Sequence, residues 1–266
     1  RVGEIFIQGE SDKVVCFTAH IDELCNDDLS GCVVGLEYFN LLKERLNLKY
    51  SYQLLLLPEL FGPIYFMNKF KNNIKKCIGM INLETIGAGQ NLCLKKSLNS
   101  EFYFENIMKL TLVELNKKYK ELNFFDGYLN DEKLFSWPTF NIDSIALQRY
   151  PFDEYHTSSD NIDIIDYNHL LEILDILNMF TTILEEDYIP SYLNKFPPWL
   201  TKRNLYFDKE NRPDLKKNKY NNHLLYSIDG KKKLSEICYE HDLNFNDVKN
   251  YLSSFHEQKI LLKQKI

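Results

Sequence analysis

His20-Ile21-Asp22, followed by Asn26-Asp27-Asp28-Leu29-Ser30-Gly31, gathers an imidazole and several carboxylates within twelve residues, directly behind the apolar run Val14-Val15-Cys16-Phe17-Thr18-Ala19. Imidazole nitrogen and carboxylate oxygen together, at the end of a strand, form a donor set that Zn²⁺ favours. A second histidine stands far downstream in Tyr155-His156-Thr157-Ser158-Ser159-Asp160, again beside carboxylates. Each piece alone has a plainer reading. A single histidine at a strand end is usually a polar edge residue. Asn26-Asp27-Asp28 suits a turn and a helix start, with Asp28 or Ser30 as the cap. Glu59 alone suits the first turn of a helix. The chemistry depends on whether the two segments meet.

Apolar runs and amphipathic stretches alternate from Val14 to about Glu186. Lys13–His20, Ser51–Pro58, Cys77–Leu83 and Ser144–Leu147 read as strands. Leu29–Leu46 reads as a helix, with Val33, Val34, Leu36, Phe39, Leu42 and Leu46 at helical spacing, and so do Pro63–Phe70, Phe102–Tyr119 and Asp166–Leu184. The alternation predicts an α/β three-layer sandwich: a mostly parallel mixed sheet with helices on both faces. His20, Glu59 and Glu84 each fall just past an apolar run, and open α/β sheets bind ligands at the carboxyl ends of their strands. Three distant segments would thus deliver an imidazole and two carboxylates to one edge.

The 266 residues, 44% of them hydrophobic, suffice for one large core with or without a small second domain. A net charge of −6 gives no reason to expect nucleic acid or an anionic membrane as partner, and no apolar run is long enough to span a bilayer. Arg1–Ile5 contains no signal-peptide core, and with no initiator Met the sequence is compatible with a fragment of a longer protein. The six cysteines form no Cys-x-x-Cys pair and read as reduced, buried thiols of a cytoplasmic protein, with Cys25 alone set among polar residues. Pro190, Pro197, Pro198 and the polar stretch Lys209–Asn222 read as a linker, 190–222, after a domain at 1–189. Three short helices and a terminal strand from His223 to Ile266 suggest a small winged helix-turn-helix domain, 223–266. From Leu224 onward seven Lys face six acids, and the would-be recognition helix carries one Lys against two acids. That balance argues against DNA and for a protein partner or a homo-oligomer.

The ordered set is more specific than any single piece. His20-x-Asp22, Asn26-Asp27-Asp28-x-Ser30-Gly31, the acid Glu59 after a strand, Asn82-Leu83-Glu84-x-Ile86-Gly87 and Tyr155-His156-x-x-x-Asp160 together resemble the zinc aminopeptidases of the co-catalytic di-metal type. The resemblance covers roughly Val14 to Glu186. The whole layout is most similar to bacterial aminopeptidase-like proteins of uncharacterised function with a C-terminal winged helix. In these, pieces like Leu57-Pro58-Glu59, Asp131-Glu132-Lys133-Leu134-Phe135 and Glu154–Asp160 recur in this order.

The resemblance implies a zinc site of one or two ions. His20, Asp27 and Glu84 would bind one metal, and Asp27 would bridge to a second held by His156 and Glu59. Asp22 and Asp160 would stand behind these ligands and orient them. Tyr155 matches a tyrosine that stabilises the oxyanion. Asp131 and Glu132 (and Asp153) are candidates to hold a substrate amine, and Arg149 a substrate carboxylate. The implied reaction is hydrolysis of an amide beside a free amine, in a small peptide or an aminoacylated metabolite. An association with polysaccharide or secondary-metabolite synthesis comes with the resemblance. One departure bears on catalysis: where the family has Glu-Glu, base then ligand, this chain has Pro58-Glu59. Either Glu59 is the base at a single metal, or it is a ligand and the base is missing; alignment from the strand puts Pro58 at the base position. Glu84 likewise stands where the peptidases mostly have Asp. An impaired, zinc-binding relative and a single-zinc amide cyclisation or transfer are the alternatives to hydrolysis.

Overall fold

A computed structural model describes residues 1–70, 74–99, 103–207 and 219–266. Seven strands, β1 (Gly3–Ile7), β2 (Val14–His20), β3 (Ser51–Leu57), β4 (Cys77–Glu84), β5 (Asn91–Lys95), β6 (Lys120–Leu122) and β7 (Ser144–Tyr150), form one sheet in the order β1-β3-β2-β4-β7-β5-β6. β2, β3, β4 and β7 are parallel. β1 runs antiparallel to β3, and β5 antiparallel to β7 while parallel to β6. The sheet is therefore mixed and mostly parallel, as the alternation predicts. β1, β5 and β6 escape the sequence reading because they carry no long apolar run: β1 alternates half-buried and exposed residues, and Lys120-Glu121-Leu122 is largely exposed.

Strand alternation sends adjacent residues to opposite faces, and this builds the layers. On the Phe17 face lie α1 (Leu29–Lys43), α3 (Tyr103–Glu114) and α5 (Tyr167–Glu186). The Phe17 ring meets Tyr38 and Phe39 of α1 at 5.1 and 5.7 Å, Tyr38 hydrogen-bonds to Thr181 of α5, and Phe104 of α3 meets Phe180 of α5 at 5.5 Å. On the Cys16 face, Cys16, Leu55, Leu57 and Met80 pack against Phe66 and Met67 of α2 (Phe61–Lys69) and Phe135 of α4 (Glu132–Phe135). α1 stops at Lys43, short of the predicted Leu46, because Asn47 takes a left-handed φ of 57° and Leu46 is left exposed.

Two compact units result: Arg1–Glu105 with Lys117–Thr181, and Asn106–Asn116 with Thr182–Ile266. In the second unit, β8 (Ile189–Tyr192) pairs antiparallel with β9 (Leu261–Gln264). A π-helical segment, Lys219–Leu224, continues into a helical turn, Leu225–Ser227; α6 (Leu234–Glu240) and α7 (Phe245–Glu257) follow. The Asp187 carboxylate accepts from the Ser235 backbone N–H at the start of α6, and Glu114 accepts from those of Phe245 and Asn246 at the start of α7. Both carboxylates satisfy donors that a helix start leaves open. Residues 190–192, expected as linker, form β8 because β9 supplies their backbone partners. Residues 208–218 of that linker, and Phe102 at the predicted start of α3, lie outside the described residues. Among the described residues no helix is long and apolar enough to cross a membrane.

Gly31, in the first turn of α1, is packed so closely that a Cβ would fall against the Leu83 carbonyl oxygen and 2.7 Å from both carboxylate oxygens of Asp28. Gly31→Ala is expected to lower the unfolding free energy by about 1–3 kcal/mol, the usual cost of overpacking. Urea denaturation measures this, and a loss below ~0.5 kcal/mol would show that the α1 start yields without cost.

Candidate metal centre

Thr18 pairs with Asn82 across β2 and β4, and His20 pairs with Leu57 across β2 and β3. By strand alternation Cys16, Thr18 and His20 share a face with Met80, Asn82 and Glu84. His20 and Glu84 therefore emerge side by side at neighbouring strand ends, and Asp27 reaches them from the loop after β2. His20 Nε2 lies 3.2 Å from Asp27 Oδ1 and 3.6 Å from Glu84 Oε1. One donor atom from each residue lies within 4.8 Å of the other two, and all three residues are buried.

These short separations are not aligned as hydrogen bonds. His20 Nε2, both Asp27 oxygens and Glu84 Oε1 are buried without a hydrogen-bond partner. Buried polar atoms left unpaired cost about 1–3 kcal/mol each, and here one from each of the three residues lies close enough to the others to share a common partner. The electrostatics point the same way. Burial, then the neighbouring Glu84 carboxylate, pushes the Asp28 carboxyl well above its usual range. Burial also raises Glu84, against the pull of His20. For His20 burial works against the charged ring, but the Asp27 and Glu84 carboxylates outweigh it and hold the imidazole up to about 12. One nitrogen and several crowded carboxylate oxygens fit a divalent cation, which would neutralise the crowding and occupy the open lone pairs.

Backbone anchoring holds the loop in place. The Asp160 carboxylate accepts from the amides of Asn26 (2.6 Å) and Asp27 (3.0 Å). Asn26 Oδ1 accepts from Gly87 N and Ala88 N at 2.8 and 2.9 Å. The Asp27–Asp28 peptide is cis. Asp28 accepts from His20 N (3.3 Å) and Thr85 N (3.1 Å), while Ser30 Oγ donates to Asn26 O (2.7 Å) and accepts from Ile86 N (3.2 Å). Asp28 holds the N-cap position of α1, as the sequence suggests, but neither it nor Ser30 makes a side-chain cap bond, because the buried amides of Thr85 and Ile86 take their oxygens. Asn26 is an anchor that the sequence reading does not single out. The available signal was an unbroken polar string between two buried elements. Asp22 Oδ1 lies 3.8 Å from His20 Nδ1, too long for a hydrogen bond, and accepts from Glu59 N at 2.9 Å. The Glu59 side chain is half-buried and stands outside the His20, Asp27, Glu84 group.

The second histidine does arrive. His156 Nε2 lies 3.2 Å from Asp27 Oδ2, so Asp27 turns one oxygen to each imidazole. The His156 side chain is 53% exposed and its φ is +57°, a left-handed value costly for a side chain of this size. The Tyr155 ring stacks on His156 with centroids 3.9 Å apart. Burial, then the charges of Asp27, Glu84 and Glu59, pushes the Tyr155 phenol far above its ordinary value, so it keeps its proton and can donate.

The proposed substrate groups divide. Asp131 Oδ1 accepts from Leu60 N at 3.2 Å while Oδ2 is buried and unpartnered; burial pushes this carboxyl up to about 7. Glu132 is held by three bonds: Oε1 accepts from Lys95 Nζ (2.8 Å) and Asn130 N (3.1 Å), and Oε2 from Asn82 Nδ2 (3.2 Å). It serves as an anchor, with its charge already answered by Lys95. Asn82 and Asn130 in turn donate to Glu84 Oε2 at 3.2 and 2.9 Å, leaving Oε1 to face His20. Arg149 is not brought to the centre. Gln148, paired with Glu84, has the matching parity, so Arg149 projects to the opposite face and is held there by Glu172 of α5.

The raised Asp131 value yields a stability test. Between the unfolded value of about 4 and the folded value of about 7, the folded state binds more protons, so stability falls as pH rises through that window. Asp131→Asn removes this loss. In the metal-free protein the variant should gain on the parent between pH 4.5 and 8, by up to ~4 kcal/mol at ~1.4 per unit. Parallel pH profiles in thermal unfolding would show that Asp131 ionises normally in the fold.

A family model described as a domain of unknown function (DUF4910) matches residues 1–187. A Clostridium acetobutylicum protein named for polysaccharide biosynthesis and an aminopeptidase-like domain is 27% identical over 271 residues, 97% of this chain and 61% of that protein. The chain thus spans about three fifths of the length of this curated relative. A crystal structure from Clostridium acetobutylicum, named for a peptidase, superposes with a TM-score of 0.85 at 25% identity, covering 98% of this chain and 60% of the other. A zinc aminopeptidase from Bacillus subtilis shares the fold with a TM-score of 0.59, at 19% identity over 69% of this chain and 48% of that one. A glutaminyl cyclase from an Acidobacteriales bacterium does so with a TM-score of 0.59, at 16% identity over 69% and 73%. With a match that runs from Arg1 to Asp187 and includes His20, Asp27, Glu84 and His156, the chain belongs to the DUF4910 family.

Proposed function

We propose that the chain is a zinc-dependent amide hydrolase of aminopeptidase type, acting beside a free amine in a small peptide or an aminoacylated metabolite. One observation carries the reading: unpartnered buried donor atoms of His20, Asp27 and Glu84 converge, and Asp27 presents its second oxygen to His156. His20, Asp27 and Glu84 would hold one ion, and His156 with Asp27 a second. When bound, zinc supplies the Lewis acidity that polarises an amide carbonyl and brings the pKa of a water to about 7. Tyr155, kept protonated, donates to the oxygen that gains charge. Glu59, half-buried and outside the ligand group, takes the proton in place of the acid that Pro58 replaces. Asp131, with its buried free oxygen, receives the substrate ammonium, whose charge would favour the ionised carboxylate. The name of the clostridial relative supports an aminoacylated sugar as one substrate to try. We read the C-terminal unit as winged-helix-like and as a surface for a protein partner rather than DNA, since its charges nearly balance.

A second reading, a single-zinc cyclisation or a zinc protein without turnover, is favoured by Pro58 at the position of the first acid. Elemental analysis and a panel of aminoacyl anilides and N-terminal glutaminyl peptides separate the readings. Hydrolysis predicts anilide turnover, reduced about 10²–10⁴-fold in Glu59→Gln with zinc uptake unchanged. Ammonia release from glutaminyl peptides without anilide cleavage indicates cyclisation. Zinc retention with no turnover on the panel, indifferent to Glu59→Gln, sinks the hydrolase reading. His20→Ala should weaken zinc at least ~100-fold, and undiminished affinity in that variant removes the ligand assignment.

A further inference from the structure

His156 is the weakly held member of the site. It is half exposed and left-handed, and its contact with Asp27 cannot fix a ring by itself. The ring is instead backed by a stack. His156 lies 3.9 Å from Tyr155 at an interplanar angle of 18°, Tyr155 lies 4.1 Å from Tyr128 at 24°, and Tyr150 closes the stack edge-on to Tyr128 at 5.2 Å. Tyr128 is the fixed end. Its hydroxyl donates to Phe152 O and accepts from Phe152 N, both at 3.1 Å. Its amide donates to Gln148 Oε1 at 3.1 Å, and its carbonyl accepts from Lys95, a fully buried lysine whose ammonium also pairs with Glu132. Gly127, at φ +67°, lets the chain pass beneath Gln148, whose Oε1 would lie 2.8 Å from an added Cβ. Every polar atom of Tyr128 is thus tied to β7, β5 or the 150–152 loop, and the ring is presented as a rigid plate.

The geometry points to Tyr128 as the positioning residue of the outer half of the site: through Tyr155 it holds the His156 imidazole toward Asp27, and so sets the affinity of the second ion without touching the first. This rests on the reading of His156 as a zinc ligand. Stacked aromatic pairs contribute beyond their burial, and residues that orient ligands commonly change metal affinity 10–100-fold. The main-chain contacts of Tyr128 to Gln148 and Lys95 survive substitution, so the inner half should stay in place.

Calorimetric titration of the metal-free protein with zinc tests this. Tyr128→Ala should leave the tighter event unchanged and weaken the second about 10–100-fold, while Tyr128→Phe, which keeps the stacked ring but loses its ties to Phe152, should weaken the second event less than Tyr128→Ala does. The unchanged tighter event also reports that the variant is folded. His156→Ala separates the two ideas. If it abolishes the second event while Tyr128→Ala leaves that event intact, the role of Tyr128 is overturned and the ligand reading stands. Equal weakening of both events by Tyr128→Ala overturns the positioning role in favour of general destabilisation. A second event indifferent to His156→Ala, or a single event in the parent, overturns the ligand reading and the inference with it.

Discussion

Three buried carboxylates, Asp27, Asp28 and Glu84, crowd around one buried imidazole, and the rest of the first unit is arranged to tolerate this. Anionic groups withdrawn from water repel one another and lose solvation, so each must be answered by a donor or a cation. Asp28 is answered by backbone amides of β2 and of the loop after β4. The outer oxygen of Glu84 is answered by Asn82 and Asn130. The remaining oxygens of Asp27 and Glu84, with His20 Nε2, have no hydrogen-bond partner in the protein and stand together where a cation would answer them.

The same constraint explains the polar supports behind the centre. Glu132 keeps Asn82 in place, and so needs its own counter-charge, which the buried Lys95 provides at 2.8 Å. A buried pair of this kind adds little net stability, since desolvation offsets the attraction, but breaking it would strand a charge. Its consequence here is orientation: the amide of Asn82 has one geometry that serves both Glu132 and Glu84. The inner half of the site is therefore rigid through buried polar bonds, whereas the outer half, carried by an exposed loop, is stiffened by ring stacking.

Where sequence reading and structure part, the cause is usually one residue of register or one unseen competitor. Arg149 and Gln148 are neighbours, yet strand parity sends one to α5 and the other toward Glu84. An apolar run shows that a strand exists but not which residue faces which layer. Asp28 and Ser30 look like helix caps because both residue types favour that position, but the buried amides of Thr85 and Ile86 claim them. Glu132 looks available as an anion until Lys95, 37 positions upstream and part of no motif, is found against it. Tyr128 carries no motif at all; only the stack assigns it a place.

The four parallel strands and the long helices were legible in the chain, because apolar periodicity is a local property, and the order of ligand-type residues singled out His20, Asp27, Glu84 and His156, which the fold brings together. Not legible there were which oxygen of Asp27 meets which histidine, that Glu59 stands outside the cluster of His20, Asp27 and Glu84, and that Glu132 and Arg149 are already paired. Those are distances between segments scores of residues apart, decided by strand register and by the competition of buried polar groups for a limited set of partners. Such competition is settled only when the whole interior is assembled.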